Sequence, residues 1–327
     1  SSFNSDFNYG TGANPSALIA ADANSDGKPD LLVTNSGSNN VSLLMGVCGT
    51  AKTRQLSDFE GDGRADLTVF RPSNGVWYRL NSSNNGFAAT QFGTNGDKIV
   101  PGDYDGDGRA DLAVFRPSNG VWYILNSLDN SFRAVRFGLG ADVPASADFD
   151  GDGSTDIAVF RPSNGVWYLL QSTAGFAAAQ FGLSEDVPVA EDYDGDGKAD
   201  LAVFRPSSGV WYLLQSSDGF AATQFGSLND KPDAADYDGD GKADLVVFRP
   251  SNGVWYLLRS SNGFTAVQFG LSSDLPVAAD YDGDGRADVA VFRPSDGVWY
   301  LLRSSTGFTA TRFGTSGDIP APSAFVP

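Results

Sequence analysis

The sequence predicts an all-β chain folded as a seven-bladed β-propeller of four-stranded antiparallel blades. Three observations carry the prediction. A tryptophan recurs every 44 or 45 residues, short β-forming segments lie between successive tryptophans, and an acidic, glycine-rich loop is written seven times. No long stretch shows the 3.6-residue apolar period of an amphipathic helix.

The tryptophans stand at Trp77, Trp122, Trp167, Trp211, Trp255 and Trp299, each inside one phrase of the type "RPSNGVWYLL". One unit shows how the elements follow. A short apolar strand (Val187 to Ala190) leads into the acidic loop, and "DLAVF" (Asp200 to Phe204) leaves it. "PSSG" turns the chain into "VWYLLQS", and "SDG" turns it again into "FAATQFG". Gly-containing turns between β-forming runs read as hairpins. The second and third strands are apolar on both faces, so both faces should be buried against neighbouring sheets. A four-stranded unit of this period, repeated around a ring, is a propeller blade. A nine-residue calcium β-roll does not fit the period, and solenoid units of this length are usually helical.

The expected organisation is one domain over residues 1–327. It has a divergent first unit (1–52), six near-identical repeats (53–314) and a closing segment (315–327). The first unit keeps the acidic loop but has no tryptophan. Two segments could complete a blade from the other end of the chain: "FNYG" (Phe7 to Gly10) and "IPAPSAFVP" (Ile319 to Pro327). The sequence leaves both open.

Composition narrows the function. A formal charge of −18 opposes nucleic-acid binding, which needs a basic footprint. No run of 18 apolar residues is present, so no membrane-spanning helix is expected. With no histidine, every Ser-His or Cys-His nucleophile is excluded. The single Cys48 reads either as a small buried hydrophobe or as one half of an intermolecular pair.

The acidic loops carry the clearest chemistry. Numbered from their first Asp, they place oxygen-bearing side chains at positions 1, 3, 5 and 9 and glycine at position 6. Positions 1, 3, 5, 7 and 9 are Asp22, Asn24, Asp26, Lys28 and Asp30 in the first loop, and Asp58, Glu60, Asp62, Arg64 and Asp66 in the second. The third has Asp103, Asp105, Asp107, Arg109 and Asp111, and the fourth Asp148, Asp150, Asp152, Ser154 and Asp156. The fifth has Asp192, Asp194, Asp196, Lys198 and Asp200, and the sixth Asp236, Asp238, Asp240, Lys242 and Asp244. The seventh has Asp280, Asp282, Asp284, Arg286 and Asp288. An EF-hand draws calcium oxygens from positions 1, 3 and 5 and from the carbonyl of position 7, with glycine at 6 for the turn. Here the carboxylate at position 9 takes the late ligand role, and six or seven Ca²⁺ per chain are expected. A polar surface turn is the plainer reading of one such loop, but not of seven at one spacing. Like charges packed this closely would destabilise the fold unless a cation neutralised them.

The charge balance points the same way. Of 40 acidic residues, 27 occupy ligand positions, three in the first loop and four in each of the others. The remaining 13 face 22 Lys and Arg, so the acidity is confined to the loops.

The D-x-D-x-D-G-x-x-D loops, the recurring Phe-Gly and the opening "NPSALIAADANSDGKPDLLVTNSGSNNVSLLMG" resemble FG-GAP/VCBS repeats, the calcium-binding propeller repeats of integrin α-subunit heads, some fungal lectins and many secreted bacterial proteins. The resemblance covers nearly the whole chain. It implies a propeller, typically seven-bladed, with calcium between the first and second strands. By carry-over, Asp103, Asp105, Asp107 and Asp111 with the carbonyl of Arg109 would hold one ion, and the matching positions the others. Asn24 in the first loop and the longer Glu60 in the second depart from the pattern.

A fold of this kind hosts many activities. The leading expectation is a non-catalytic, extracellular binding or adhesion module whose equivalent blades suit multivalent capture of a glycan or a cell-surface protein. The alternative is a calcium-stiffened spacer within a larger secreted or surface protein, and a glycan-active enzyme ranks third, because no unit reads as breaking the repeat with a unique polar cluster. The candidate ligand contacts are Arg71, Arg116, Arg161, Arg205, Arg249 and Arg293. For these arginines the competing reading is pairing with nearby carboxylates, and for the tryptophans it is blade core.

Overall fold

A computed structural model of the chain describes residues 13–21, 30–44 and 57–322. The chain divides into two compact units, Ser1–Lys52 and Thr53–Pro327, where a single domain was expected. The boundary is the one at which the near-identical repeats begin. In the first unit, strands Pro15–Ala21, Asp30–Asn35 and Asn40–Leu44 form a three-stranded antiparallel sheet. Cys48 and the "FNYG" segment lie outside the described residues.

The second unit contains six four-stranded antiparallel sheets. We number these blades by their acidic loops, from blade 1 at Asp58 to blade 6 at Asp280. In blade 4 the strands are Val187–Pro188, Leu201–Arg205, Val210–Gln215 and Gly219–Gln224, in that spatial order. Seven sheets are therefore present, one per acidic loop, and the fold is an all-β propeller. The all-β propeller of antiparallel sheets expected from the sequence is thus borne out; among the described residues six of the sheets are four-stranded, and that of the first unit is three-stranded.

Closure rests on one strand exchange and two kinds of contact repeated from blade to blade. The C-terminal strand Ile319–Ala321 pairs antiparallel with Leu67–Arg71 and supplies the first strand of blade 1. The position-8 amide of each loop donates to the position-1 carbonyl of the loop before it: Ala110 to Asp58, Thr155 to Asp103, Ala199 to Asp148, Ala243 to Asp192 and Ala287 to Asp236. Ala65 then donates to Asp280 at 2.8 Å and returns the series to its start. Apolar clusters sit between neighbours. One joins Phe292, Trp299 and Leu301 of blade 6 to Leu67 and Val69 of blade 1.

The second strands are buried along nearly their whole length, as their two apolar faces require. In the third strands Trp is fully buried while the flanking Val and Tyr are half-buried. Each indole N–H donates to the carbonyl of the Phe that begins the recurring Phe-Gly, at 2.8–2.9 Å. The glycine of the "PSNG" turn has no alternative: at Gly75, with φ +68°, a Cβ would stand 2.2 Å from the Gly93 carbonyl oxygen. Among the described residues no helix is long and apolar enough to cross a membrane.

Candidate metal centres and a repeated aromatic edge

The sequence of the acidic loop folds it around its own carboxylates. In blade 2, Asp103 accepts the amides of Gly106 at 2.6 Å and Gly108 at 2.9 Å. Both glycines have positive φ, at 77° and 85°, which curls the loop inward. Asp111, at position 9, accepts the Tyr104 amide at 2.7 Å and the Ser127 amide at 2.6 Å, tying the loop to the turn after the third strand. Asp107, at position 5, accepts the Arg109 amide and the Ser127 hydroxyl.

Positions 1, 3 and 9 converge. In five loops one oxygen from each lies within 4.8 Å of the other two: Asp103, Asp105 and Asp111, with the matching triads beginning at Asp148, Asp192, Asp236 and Asp280. The position-5 carboxylates Asp107, Asp152, Asp196, Asp240 and Asp284 are not in these triads, and each is hydrogen-bonded to a serine hydroxyl. Position 7 lends its side chain to the ring. Arg64, Arg109, Ser154, Lys198, Lys242 and Arg286 each lie over the position-4 glycine of the preceding loop. In blade 1 the longer Glu60 is drawn to Ser82 and Ser83, so Asp58, Asp62 and Asp66 lack the third-position partner. Asp22, Asn24, Asp26 and Lys28 of the first loop lie outside the described residues, and of Asp30 only the backbone is described, at the start of a strand.

Electrostatics sharpen the picture. Burial pushes the position-9 carboxyls up to about 6 at Asp66, Asp111, Asp156, Asp200 and Asp244, and to about 7 at Asp288. Amide donors pull against that rise and neighbouring carboxylates add to it. At position 3, Asp238 and Asp282 behave oppositely: burial raises them, but hydrogen bonds from Ser261 and Asn262, and from Ser305 and Thr306, bring them below their ordinary value. A charged carboxylate is thus favoured at Asp238 and Asp282, whereas burial and the Asp107 charge raise Asp105. The Oδ1 atoms of Asp150, Asp238 and Asp282 are buried and have no hydrogen-bond partner. Three converging carboxylates with an unsatisfied oxygen, all hard donors, suit a cation of the calcium class.

The six arginines are placed differently from the expectation that they contact ligand. Each guanidinium makes a two-point pair with a buried Asp: Arg71 with Asp318, Arg116 with Asp97, Arg161 with Asp142, Arg205 with Asp186, Arg249 with Asp230 and Arg293 with Asp274, at 2.7–2.9 Å. Each also lies 4.2–4.4 Å over the ring of the blade's Tyr. The sequence reading missed these aspartates, although every repeat spells them as F-G-x-x-x-D.

What remains open is a different aromatic set. Phe87, Phe132, Phe176, Phe220, Phe264 and Phe308, on the outermost strands, are 60–66% exposed. Each meets the Phe of the preceding blade's Phe-Gly edge-on, with centroids 6.2–6.4 Å apart. Phe87, Phe132 and Phe264 also stack on Tyr78, Tyr123 and Tyr256.

Comparison with solved structures finds the same fold at low identity. A streptogramin B lyase superposes with a TM-score of 0.55 at 7% identity, covering 81% of this chain and 85% of that one. A virginiamycin B lyase from Staphylococcus aureus gives 0.51 at 8%, covering 81% and 86%. An Agrocybe aegerita lectin, described as recognising non-reducing terminal N-acetylglucosamine, gives 0.52 at 18%, covering 86% and 87%. No curated protein matches the chain by sequence. The FG-GAP-like repeat matches four times, over residues 58–114, 103–159, 192–247 and 236–291, each match running from one acidic loop into the second strand of the next blade. With more than half of its length so matched, the chain belongs to the FG-GAP-like repeat family.

Proposed function

We propose that this protein is a non-catalytic, extracellular, calcium-binding module that uses its outer edge to capture a repetitive ligand, a glycan being the chemistry that fits best. The observation that carries this reading is the six-fold exposed phenylalanine edge. A sugar ring offers an apolar C–H face that stacks on an aromatic ring, and equivalent sites around a ring raise avidity for an arrayed ligand. The arginines are paired and the tryptophans buried within the blades, so the phenylalanines are the aromatic surface left for it. The Agrocybe aegerita lectin supplies a precedent for the fold alone.

Calcium is assigned to the loops beginning at Asp103, Asp148, Asp192, Asp236 and Asp280, held by positions 1, 3 and 9, with a weaker ion at Asp58, where Glu60 is engaged elsewhere. Loops of extracellular modules hold calcium with dissociation constants of about 10⁻⁴ to 10⁻³ M, which suits calcium levels outside cells. A purely structural spacer is the second reading, favoured by the commitment of the six Phe-Arg-Pro arginines and of every Trp to the fold.

The discriminating experiment replaces Phe132, Phe220 and Phe308 together by Ala, removing every second aromatic site. Binding to arrayed glycans in calcium should fall at least about tenfold, while each exposed substitution costs under about 1 kcal/mol of stability. Glycan binding that survives the triple substitution would rule out the phenylalanine edge as its site, and glycan binding absent from the parent protein favours the spacer.

A further inference from the structure

The repeat is broken at one place inside the ring. Where blades 2, 4 and 6 carry Val100, Val189 and Val277, blade 5 carries Asp233. Where blades 3, 5 and 6 carry Ala147, Ala235 and Ala279 just before the loop, blade 4 carries Glu191. Both stand on the chain that enters the acidic loop, at the inner edge of adjacent blades. This pair is the unique polar cluster that the sequence reading did not see.

Asp233 is 1% exposed and pairs across the sheet with Val246. One of its oxygens accepts the Ala234 amide at 2.8 Å, and the other, Oδ2, is buried with no partner. A second orphan accompanies it. Tyr104, Tyr193 and Tyr281 each donate their hydroxyl to the carbonyl of the valine four residues earlier, at 2.6–2.9 Å. Tyr237 is 8% exposed, and its hydroxyl has no partner. Its valine position is the one occupied by Asp233, and Asp233 is the charge that acts on Tyr237 most strongly. Asp233 is likewise the charge acting most strongly on Glu191. Among the described residues neither carboxylate has a Lys or Arg partner. The nearby Lys231 donates its ammonium to the Asp274 carbonyl.

A buried, unpaired carboxylate is costly, and a second one in its field adds to the cost. Burial pushes Asp233 up to about 7. Only a bound cation or bound protons can relieve the pair. The Asp233 oxygen and the Tyr237 hydroxyl, four residues apart, are both buried without a partner and do not bond each other. Two carboxylates and a phenol form a hard-oxygen set with a charge of −2, the set that a divalent cation of the calcium class accepts. We propose that Glu191 and Asp233, with the Tyr237 hydroxyl, form a single divalent-cation site at the inner edge of blades 4 and 5, separate from the six-fold loops.

The test uses the whole chain with Ca²⁺ as the probe. Crystals grown in calcium should show an anomalous peak at about 2.3–2.6 Å from oxygens of Glu191 and Asp233. In Asp233→Val, the residue that three sister blades carry, that peak alone should vanish and the bound calcium should fall by one ion per chain. In chelator Asp233→Val should melt above the parent, and the rise in melting temperature on adding calcium should be smaller than the parent's. Glu191→Ala provides the same comparison at a partly open position should the valine variant fold poorly. A water in place of the peak, with Asp233→Val raising the melting temperature equally in chelator and in calcium, would overturn the proposal in favour of a proton-sharing pair. The peak is single, whereas loop peaks recur around the ring, so the two assignments stand or fall separately.

Discussion

A tryptophan in this protein fills the space between two blades and ties together two turns of its own blade. Trp167 packs on Phe160 and Phe149, while its indole N–H holds the Phe181 carbonyl at 2.9 Å. Trp167→Ala should therefore cost about 3–5 kcal/mol, read as a lowered midpoint in urea unfolding. Trp167→Phe keeps most of the packing but orphans the carbonyl, and should cost about 1–3 kcal/mol. A stable Trp167→Ala protein would show that the indole is not core. The tryptophans were legible as core because they lie between apolar neighbours on both sides of the strand. The arginine partners were not, since Arg205 reaches Asp186 from 19 residues further along the chain. Spacing across a hairpin is invisible to local pattern. Alignment of the six repeats on F-G-x-x-x-D was the available signal.

At the scale of the element, the acidic loop is a charged device that folds only by compromise. Its position-9 carboxyls have folded values of about 6 to 7, against an ordinary 3.8. Between these values the folded chain binds more protons than the unfolded chain, so stability falls as pH rises through that window. In chelator, the melting temperature should drop from pH 4 toward pH 7 and level off above it. Calcium, which needs the ionised form, should restore stability mainly above pH 6. A melting temperature in chelator that climbs over the same range would contradict the burial argument. The loop's spacing was legible because position 1 and position 9 must both face the interior of one tight turn. The fate of positions 3 and 5 was not, because it depends on serines such as Ser127 and Ser82, some 20 residues downstream on another turn.

For the whole molecule, seven acidic loops predicted seven sheets, but closure is decided by contacts that no local pattern encodes. The six blades meet because Ala65 finds Asp280 and because Ile319–Ala321 finds Leu67–Arg71 across 247 residues, the separation of Arg71 from Asp318. Three strand-paired residues, with the Ala65–Asp280 hydrogen bond and the Arg71–Asp318 pair, thus join the two ends of the ring. During synthesis blade 1 waits with a bare strand edge until the last blade has emerged, while blades 2 to 6 can each find their four strands locally. That edge is a template for pairing with another chain. A protein ending at Asp318 should elute as dimers and larger species at micromolar concentration, and a peptide carrying residues 319–327 should return it to a monomer. Monomeric behaviour of the shortened chain would place the closing force in the loops instead. The order in which the blades are made therefore sets a vulnerable interval for this protein: its first-made blade is the last to become safe from its neighbours.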